Sequence, residues 1–263
     1  MPGAFNGLTA RMMADLNFQA TYISGAALSA SRGVPDIGIL GLENFTQLIE
    51  DVYVSSNLPI IADADTGFGE GEMCSRTVFA YNKAGAAGLH IEDQEFPKRC
   101  GHLDGKTLIT IEDMKLKVKI CADVRDKHSN GDFIVYAGAD MIFPEGLQNT
   151  HEFEEVAQKL RNHKKDVYLL ANMTEFGKTE SIIFQQFSDM KYSCVIYPVS
   201  TLRIAMGAVQ RFLVDLQKNG HATKSSLDSM LSRKDLYELL NYKPGEQYEY
   251  PSPKESKDNN ISK

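Results

Sequence analysis

The 263-residue sequence lacks the features that define several classes of protein. No apolar run approaches the about 20 residues that a membrane-spanning helix requires. The start has no basic region followed by an apolar one, as a secretory signal peptide would have. With a net charge of −7, the chain has no excess of positive charge for binding nucleic acid. Its four cysteines show neither CxxC spacing nor a disulfide-dense pattern. We therefore expect an intracellular protein of a reducing compartment, with no nucleic-acid or membrane partner.

The pattern of apolar residues predicts an α/β fold. Hydrophobic residues make up 43% and charged residues 24% of the chain, as in an ordinary globular protein. Short apolar runs alternate with longer amphipathic stretches, which predicts strands alternating with helices. Eight strands would make a TIM-type (β/α)8 barrel, whose functional residues lie at the carboxyl ends of the strands. The predicted strands are 4–6, 20–24, 59–63, 88–92, 133–135, 141–144, 168–172 and 194–197, and the predicted helices include 71–84, 111–127, 150–162 and 200–219.

The predicted barrel is incomplete at two places. Only residues 136–140 separate the fifth predicted strand from the sixth, whereas a parallel crossover needs about a dozen residues. We therefore expect the helix between strands five and six to be missing, together with the start of strand one, which has almost no lead-in. Residues 1–243 are assigned to the barrel domain with its C-terminal helices. Residues 244–263, rich in Pro, Lys, Ser and Asn, are predicted to form a disordered tail.

Polar residues cluster at the ends of the predicted strands. Core strands have no packing reason to end in so many carboxylates, and the carboxyl ends of parallel strands meet on one face of a barrel. This convergence is the main argument from the residues for a functional site. The residues concerned are Ser24, Gly25, Asp63, Asp65, Glu92, Asp93, Glu145, Asn172 and Thr174.

The first candidate constellation is a pair of carboxylates at the end of the third predicted strand. Asp63 and Asp65 are followed by the glycine-rich segment 66–69. Such a pair offers hard oxygen ligands, and Mg²⁺ prefers few carboxylates together with water and substrate oxygens. A polar turn that caps a helix is the alternative. Asp36 and Glu92 are candidate outer partners, although Asp36 alone is typical of a turn.

The second constellation is the segment 98–102, with the sequence Lys-Arg-Cys-Gly-His. Cys100 follows two cations, which lower the pKa of a thiol, and it could then exchange a proton with a carbon acid at neutral pH. Pro97 and Gly101 on either side indicate a mobile loop that closes over a ligand. A basic surface loop with an incidental thiol is the alternative.

The remaining candidates are weaker. The segment 172–177 could hydrogen-bond a carboxylate from a strand end, although an ordinary cap and turn has the same pattern. Arg203 and Arg233 could clamp carboxylates with two parallel hydrogen bonds, whereas a lone arginine on a helix is usually only solvated. His90, in the middle of a predicted strand, is interpreted as a core histidine rather than a ligand.

Taken together, these motifs resemble the lyase branch of the isocitrate lyase and phosphoenolpyruvate mutase superfamily, most closely the 2-methylisocitrate lyase family. The resemblance is carried by segments 63–69, 90–94 and 98–102, and it extends over about residues 2–242. It implies that Asp63 and Asp65 hold Mg²⁺, or Mn²⁺, with Asp36 and Glu92 acting through water. It also implies that Cys100 is the catalytic acid/base. The substrate-binding residues that it implies are Ser24, Gly25, Ala26, Gly101, Glu145, Asn172, Thr174, Arg203 and Arg233.

The reaction that this resemblance implies is cleavage of 2-methylisocitrate to pyruvate and succinate, with a small carboxylate as substrate. It also implies a homotetramer that exchanges the C-terminal helical segment 225–242. The compartment would be the cytoplasm in a bacterium or the mitochondrial matrix in a eukaryote. The family's Arg-Thr-Asp at the end of strand five is absent. This absence leaves a catalytically impaired lyase-like subunit open as an alternative. A phosphonopyruvate or carboxyphosphonate phosphorylmutase also stays open, because the resemblance extends to relatives of that class with very similar loops.

Overall fold

The computed structural model describes residues 1–99, 105–129, 132–136 and 140–249. Seven strands in these residues form one parallel sheet, and each strand pairs with its neighbours in chain order. The strands are β1 Thr21–Ile23, β2 Ile60–Asp63, β3 Gly88–His90, β4 Ile134–Tyr136, β5 Met141–Ile142, β6 Tyr168–Asn172 and β7 Cys194–Ile196. The helices are α1 Gly7–Asp15, α2 Gly25–Ser31, α3 Leu42–Ser56, α4 Glu72–Ala84, α5 Ile111–His128, α6 Thr150–His163, α7 Phe184–Asp189, α8 Ser200–Asn219, α9 Lys224–Asp228 and α10 Arg233–Leu239.

The strands are buried on both faces, as expected for a parallel sheet. In β2, Ile60 and Ala62 pack in a cluster that includes residues of α1, α3 and α4. Ile61 points the other way, because successive side chains of a strand alternate between faces. It joins an inner cluster with Tyr22, Met141, Leu170 and Ile196, one residue from each of four other strands. The sheet is therefore curved around its own core, and the α/β fold is TIM-barrel-like.

The first four residues connect the two ends of this sheet. Gly3 donates its backbone N–H to the carbonyl of Tyr197 at 2.9 Å, and Ala4 donates to the carbonyl of Tyr22 at 2.8 Å. A Cβ atom on Gly3 would lie 2.1 Å from the carbonyl oxygen of Pro198, so only glycine fits at this position. The N-terminal segment thus bonds both to the strand region of β1 and to the residue after β7.

The prediction of a strand at residues 4–6 was wrong in its position. The β-bridges of this segment lie at Pro2 and Gly3. Asn6 is instead the N-cap of helix α1, which begins at Gly7. The Asn6 side chain accepts a hydrogen bond from the backbone N–H of Thr9 at 2.9 Å, which caps α1. The other predicted strands are found within one or two residues of their predicted ends. The predicted helices at 71–84, 111–127, 150–162 and 200–219 correspond to α4, α5, α6 and α8.

Strands β4 and β5 follow each other almost directly. Residues 137–140 alone connect them, which leaves no room for a crossover helix. The two strands share one register pair, Tyr136 with Met141. Asp140 accepts hydrogen bonds from the backbone of Val135 at 3.0 Å and from Arg125 of α5 at 2.5 Å. These bonds tie the short connection to β4 and to the preceding helix.

Beyond β7 the chain continues into three helices, α8 to α10. Within the described residues, the long helix α8 buries only Leu202, and α9 and α10 have no buried residue. Among the described helices, none combines the length and the apolar character that crossing a membrane requires. The last described residues contact α1, because Arg11 donates a hydrogen bond to the Tyr248 hydroxyl at 3.5 Å.

Candidate active site

A cavity of about 580 Å³ opens at the carboxyl ends of the strands. Its volume lies within the range of about 300–1,000 Å³ that small-molecule sites occupy. Many of the residues predicted from the sequence line it, so strand ends that are far apart in the chain meet here. The predicted residues in its wall are Ser24, Ala26, Asp36, Asp63, Glu92, Glu145, Asn172, Thr174 and Arg203.

Asp63, the last residue of β2, is fixed by two backbone donors. Its Oδ2 accepts from the N–H of Gly25 and its Oδ1 from the N–H of Asp65, both at 3.0 Å. A Cβ on Gly25 would lie only 3.0 Å from oxygens of both aspartates. The absence of a side chain at Gly25 therefore allows its backbone to come close to both carboxylates. Burial raises the pKa of Asp63, but His90, Lys98 and the two N–H donors outweigh burial and hold the pKa below its usual range.

Asp65, two residues further on, is buried, and its backbone has a positive φ of 46°. Its Oδ1 contacts the ammonium of Lys98 but accepts no hydrogen bond of regular geometry from the described residues. Lys98 also lies 2.8 Å from Asp36 Oδ1 and 3.7 Å from Glu92 Oε1. The side chain of this lysine is 1% exposed. Three carboxylates from three loops therefore surround one buried ammonium.

The charges of this cluster perturb one another strongly. Burial and the Asp63 carboxylate raise the pKa of Asp65 to about 7 and that of Glu92 to about 8, against the opposing effect of Lys98. Burial also raises the pKa of Asp36. Burial by itself lowers the pKa of Lys98, but the surrounding carboxylates outweigh it and raise that pKa. Because burial and the neighbouring carboxylate disfavour the ionised forms of Asp65 and Glu92, a cation bound beside them would stabilise those forms.

The same cluster fits a divalent metal ion. Ligand oxygens of Asp63, Asp65 and Glu92 lie within 4.8 Å of one another. They are hard carboxylate donors, which Mg²⁺ and Mn²⁺ prefer. The buried Asp65 Oδ1 atom already contacts the Lys98 ammonium, so it lies where a cation is held. The residues present are therefore compatible with the metal that the sequence predicted.

Helices α4 and α5 hold the loop that carries Asp65. The Tyr81 hydroxyl of α4 donates to the carbonyl of Asp63 at 2.7 Å. Lys117 of α5, buried to 2% exposure, donates to the carbonyl of Thr66 at 3.0 Å and lies 3.1 Å from Glu70. Neither side chain is among the cavity-lining residues, so these bonds hold the backbone beside Asp63 and Asp65 from outside the cavity wall.

The wall near β6 and α8 carries groups suited to a carboxylate. Arg203 donates to the Thr174 hydroxyl at 3.2 Å and to the backbone carbonyl of Glu175 at 2.6 Å, and it pairs with the Glu175 carboxylate at 3.1 Å. Asn172 hydrogen-bonds Glu145, whose pKa is raised by burial and by Asp63. The Arg203 guanidinium, the Thr174 hydroxyl and the Asn172 amide line the same cavity as the carboxylates of Asp36, Asp63 and Glu92.

The interpretation of His90 as a core histidine was incomplete, because His90 and Tyr22 also line the cavity. The Tyr22 hydroxyl lies 2.6 Å from His90 Nε2, which is itself 3.8 Å from Asp63 Oδ1. Burial lowers the pKa of His90. The sequence holds one signal for this placement: His90 lies two residues before Glu92, and such residues point to the same side of an extended chain. Glu175, which belongs to the predicted segment 172–177, lines the cavity as well. Lys106 and Gln94 also line it and were not named as site residues from the sequence.

Five of the predicted site residues are not among the described residues that line this cavity. Cys100 and Gly101 lie outside the described residues. Arg233 is the first residue of α10, is exposed, and is not among the residues lining the cavity of its own chain. Asp65 and Gly25 do not line the cavity either, but they lie against Asp63, which does.

The fold and the site together define the class of this protein. It is a TIM-barrel-like α/β protein with an acidic cluster at the carboxyl ends of its strands. Residues 1–137 match the family described as phosphoenolpyruvate phosphomutase. The chain belongs to this family, within the phosphoenolpyruvate mutase/isocitrate lyase superfamily.

Relatives of the chain are named as carbon–carbon lyases. It is 40% identical to a probable 2-methylisocitrate lyase of Corynebacterium glutamicum, over 92% of this chain and 83% of that protein. It is 38% identical to a 2-methylisocitrate lyase of Bacillus subtilis, over 92% and 84%. The crystal structure of a 2,3-dimethylmalate lyase superposes with a TM-score of 0.81 at 31% identity, over 90% of this chain and 85% of that one.

Proposed function

We propose that this chain is a divalent-metal-dependent carbon–carbon lyase that cleaves 2-methylisocitrate, or a similar hydroxy-tricarboxylic acid, to pyruvate and succinate. The observation that carries the proposal is the convergence of Asp63, Asp65 and Glu92 beside a cavity that Arg203 and Thr174 also line. A candidate metal site and carboxylate-binding groups around one cavity suit a substrate with several carboxylates and one hydroxyl group.

The chain's own residues have distinct roles in this reaction. Asp63 and Asp65 would hold Mg²⁺, with Asp36 and Glu92 in support, and the bound ion would supply positive charge for oxygens of the substrate. Arg203 would bind a carboxylate in place of the Glu175 side chain with which it now pairs.

Cleavage itself is a retro-aldol step. The hydroxyl proton leaves, the carbon–carbon bond breaks, and the carbonyl of pyruvate forms, while the electron pair stays on the carbon that becomes part of succinate. That carbon then takes a proton, which we assign to the Cys100 thiol because of its place between two cations and His102 in the sequence. The net change moves one proton from oxygen to carbon and needs no oxidant.

The test is pyruvate release from 2-methylisocitrate by the purified chain with Mg²⁺, with and without Cys100→Ser. We expect turnover by the wild-type chain and a loss of about 100-fold or more in the variant, the usual contribution of a general acid. Cys194→Ser, which alters a thiol that is not among the cavity-lining residues, is the matched control and retains activity. Turnover that survives Cys100→Ser would exclude the proposed acid.

Two alternatives give different results in the same assay. The family described as phosphoenolpyruvate phosphomutase makes phosphonopyruvate the appropriate second substrate, and turnover of that compound alone would favour a phosphorylmutase. The four-residue connection between β4 and β5 favours a catalytically impaired subunit. A folded, metal-binding chain that turns over neither substrate would support that reading.

We also propose that the chain forms a homo-oligomer through its C-terminal helices. On α8, the side chains of Ile204, Val209, Leu213 and Val214 are exposed and apolar, and apolar residues of the 224–231 region are exposed as well. Large exposed apolar patches of this kind typically mark an interface. Light scattering after size exclusion would give the molar mass, and a monomer at micromolar concentration would contradict the proposal.

A further inference from the structure

The buried ammonium of Lys98 occupies the acidic cluster in which the proposed metal would bind. Nζ contacts Asp65 Oδ1 and lies 2.8 Å from Asp36 Oδ1 and 3.7 Å from Glu92 Oε1. Asp65 and Glu92 are two of the three residues whose carboxylates could hold the metal. Mg²⁺ binds carboxylate oxygens at about 2.1 Å, so an ion held by these two carboxylates would lie close to Nζ, and the two cations would repel each other.

We propose that Lys98 is an internal counter-cation that is exchanged for the divalent metal ion. In the metal-free protein its charge holds Asp36, Asp65 and Glu92 together. When the metal binds, the ammonium leaves the cluster and becomes accessible to solvent or substrate. This inference rests on the metal site of the proposed function and adds a coupling between that site and the chain segment around residue 98.

Hydrogen bonds couple the segment that carries Lys98 to the acidic cluster. Gln94 donates to Glu92 Oε2 at 2.5 Å and to the carbonyl of Arg99 at 2.8 Å, and the Arg99 N–H donates back to Gln94 Oε1 at 3.0 Å. One glutamine thus bridges a carboxylate of the cluster and the residue after Lys98. Release of Lys98 therefore moves the chain immediately before Cys100, the residue to which catalysis was assigned.

Chemical labelling of lysines with and without Mg²⁺ tests the exchange without any substrate. Lys98 is 1% exposed and charged in the cluster, so we expect it to resist acetylation by trace acetic anhydride in the metal-free protein. With saturating Mg²⁺ its acetylation, measured by mass spectrometry of the peptide, rises several-fold. Lys117 is an internal control, since it is equally buried and bonds the Thr66 carbonyl away from the metal oxygens. Lys115, which is exposed, is the reference for full reactivity.

Calorimetry of Mg²⁺ binding separates the failure of this inference from that of the proposed function. If the wild-type chain binds no Mg²⁺, the proposed metal site is wrong and the exchange is wrong with it. If Mg²⁺ binds while Lys98 stays as unreactive as Lys117, only the exchange is refuted. A rise in the labelling of both buried lysines would mean general loosening and would also refute it.

A variant gives an independent measure of the competition. Lys98→Met keeps the apolar stem and removes the charge, so Mg²⁺ no longer displaces a resident cation. If Lys98 holds the cluster in about nine of ten molecules, its removal lowers the Kd for Mg²⁺ about 10-fold, because apparent affinity scales with the binding-competent fraction. Lys98→Arg keeps the charge and gives no tightening. Weaker Mg²⁺ binding by Lys98→Met than by the wild type would overturn the proposal.

Discussion

The buried lysine of α5 provides a quantitative test of how the metal loop is held. Lys117 donates to the Thr66 carbonyl at 3.0 Å, and a hydrogen bond from a charged donor contributes about 1.5–3 kcal/mol. Its ion pair with Glu70, whose side chain is 74% exposed, adds at most about 1 kcal/mol. Lys117→Met also removes the cost of burying an ammonium, so we expect a net loss of about 1–2 kcal/mol of unfolding free energy.

The Lys117→Met substitution has two measurable consequences. The melting temperature falls by about 2–8 °C, since about 2–4 °C corresponds to each kcal/mol for a chain near this size. The affinity for Mn²⁺ falls by about 10-fold, the lower end of the range for groups that orient metal ligands. Calorimetry of unfolding and of Mn²⁺ binding measures both. Lys115→Met, on the same helix but in an exposed ion pair with Glu112, is the matched control and changes neither.

The reasoning would be refuted by a Lys117→Met protein with wild-type Mn²⁺ affinity. It would show that the Thr66 carbonyl needs no anchor from α5. A lower melting temperature with unchanged metal affinity would leave Lys117 as a packing residue only.

Two further predictions concern the cavity wall. Tyr22→Phe removes the 2.6 Å bond between the Tyr22 hydroxyl and His90 in a buried position, so it costs about 1 kcal/mol of stability by denaturant unfolding and lowers kcat/KM. Arg203→Met removes the cation that bonds Thr174 and Glu175, so KM for the carboxylate substrate rises about 10- to 100-fold while stability changes little.

Matched variants control for both changes. Tyr53→Phe alters a half-exposed tyrosine and leaves stability and kcat/KM unchanged. Arg211→Met alters an exposed arginine of the same helix α8 and leaves KM unchanged. An unchanged KM in Arg203→Met would remove this arginine from the substrate-binding wall. Full activity in Tyr22→Phe would make the Tyr22–His90 pair a packing feature only.

Much of the fold was predictable because apolar residues recur with different periods along strands and along helices. The apolar run Ile60-Ile61-Ala62 and the strand at Tyr168–Asn172 were predicted nearly to the residue, since both are buried and bounded by turns. The segment at residues 4–6 was not, because the capping of α1 by Asn6 competes with extended structure there. Strand β5 ends two residues earlier than predicted, since its apolar run continues past the last paired residue.

The candidate site was predictable where polar residues follow the end of a predicted strand. Asp63, Glu92, Asn172 and Thr174 could be placed on one face from the rule that parallel strands end together, and they line one cavity. Lys98 could not be placed. The sequence predicted that Lys98 is a cation near the Cys100 thiol, which lies outside the described residues. It held no sign that the Lys98 side chain is buried among carboxylates from three loops.

The sequence by itself determined the alternation of strands and helices, the acidic strand ends and the short connection between β4 and β5. These are local properties, readable from periodicity and from the number of residues between elements. Only the tertiary structure decided which charges meet. Asp36, Asp65 and Lys98 come together because the chain's path brings three loops to one place, and burial there makes each carboxylate sensitive to its neighbours. Pairings of that kind depend on distances across the fold, which no local pattern of residues contains.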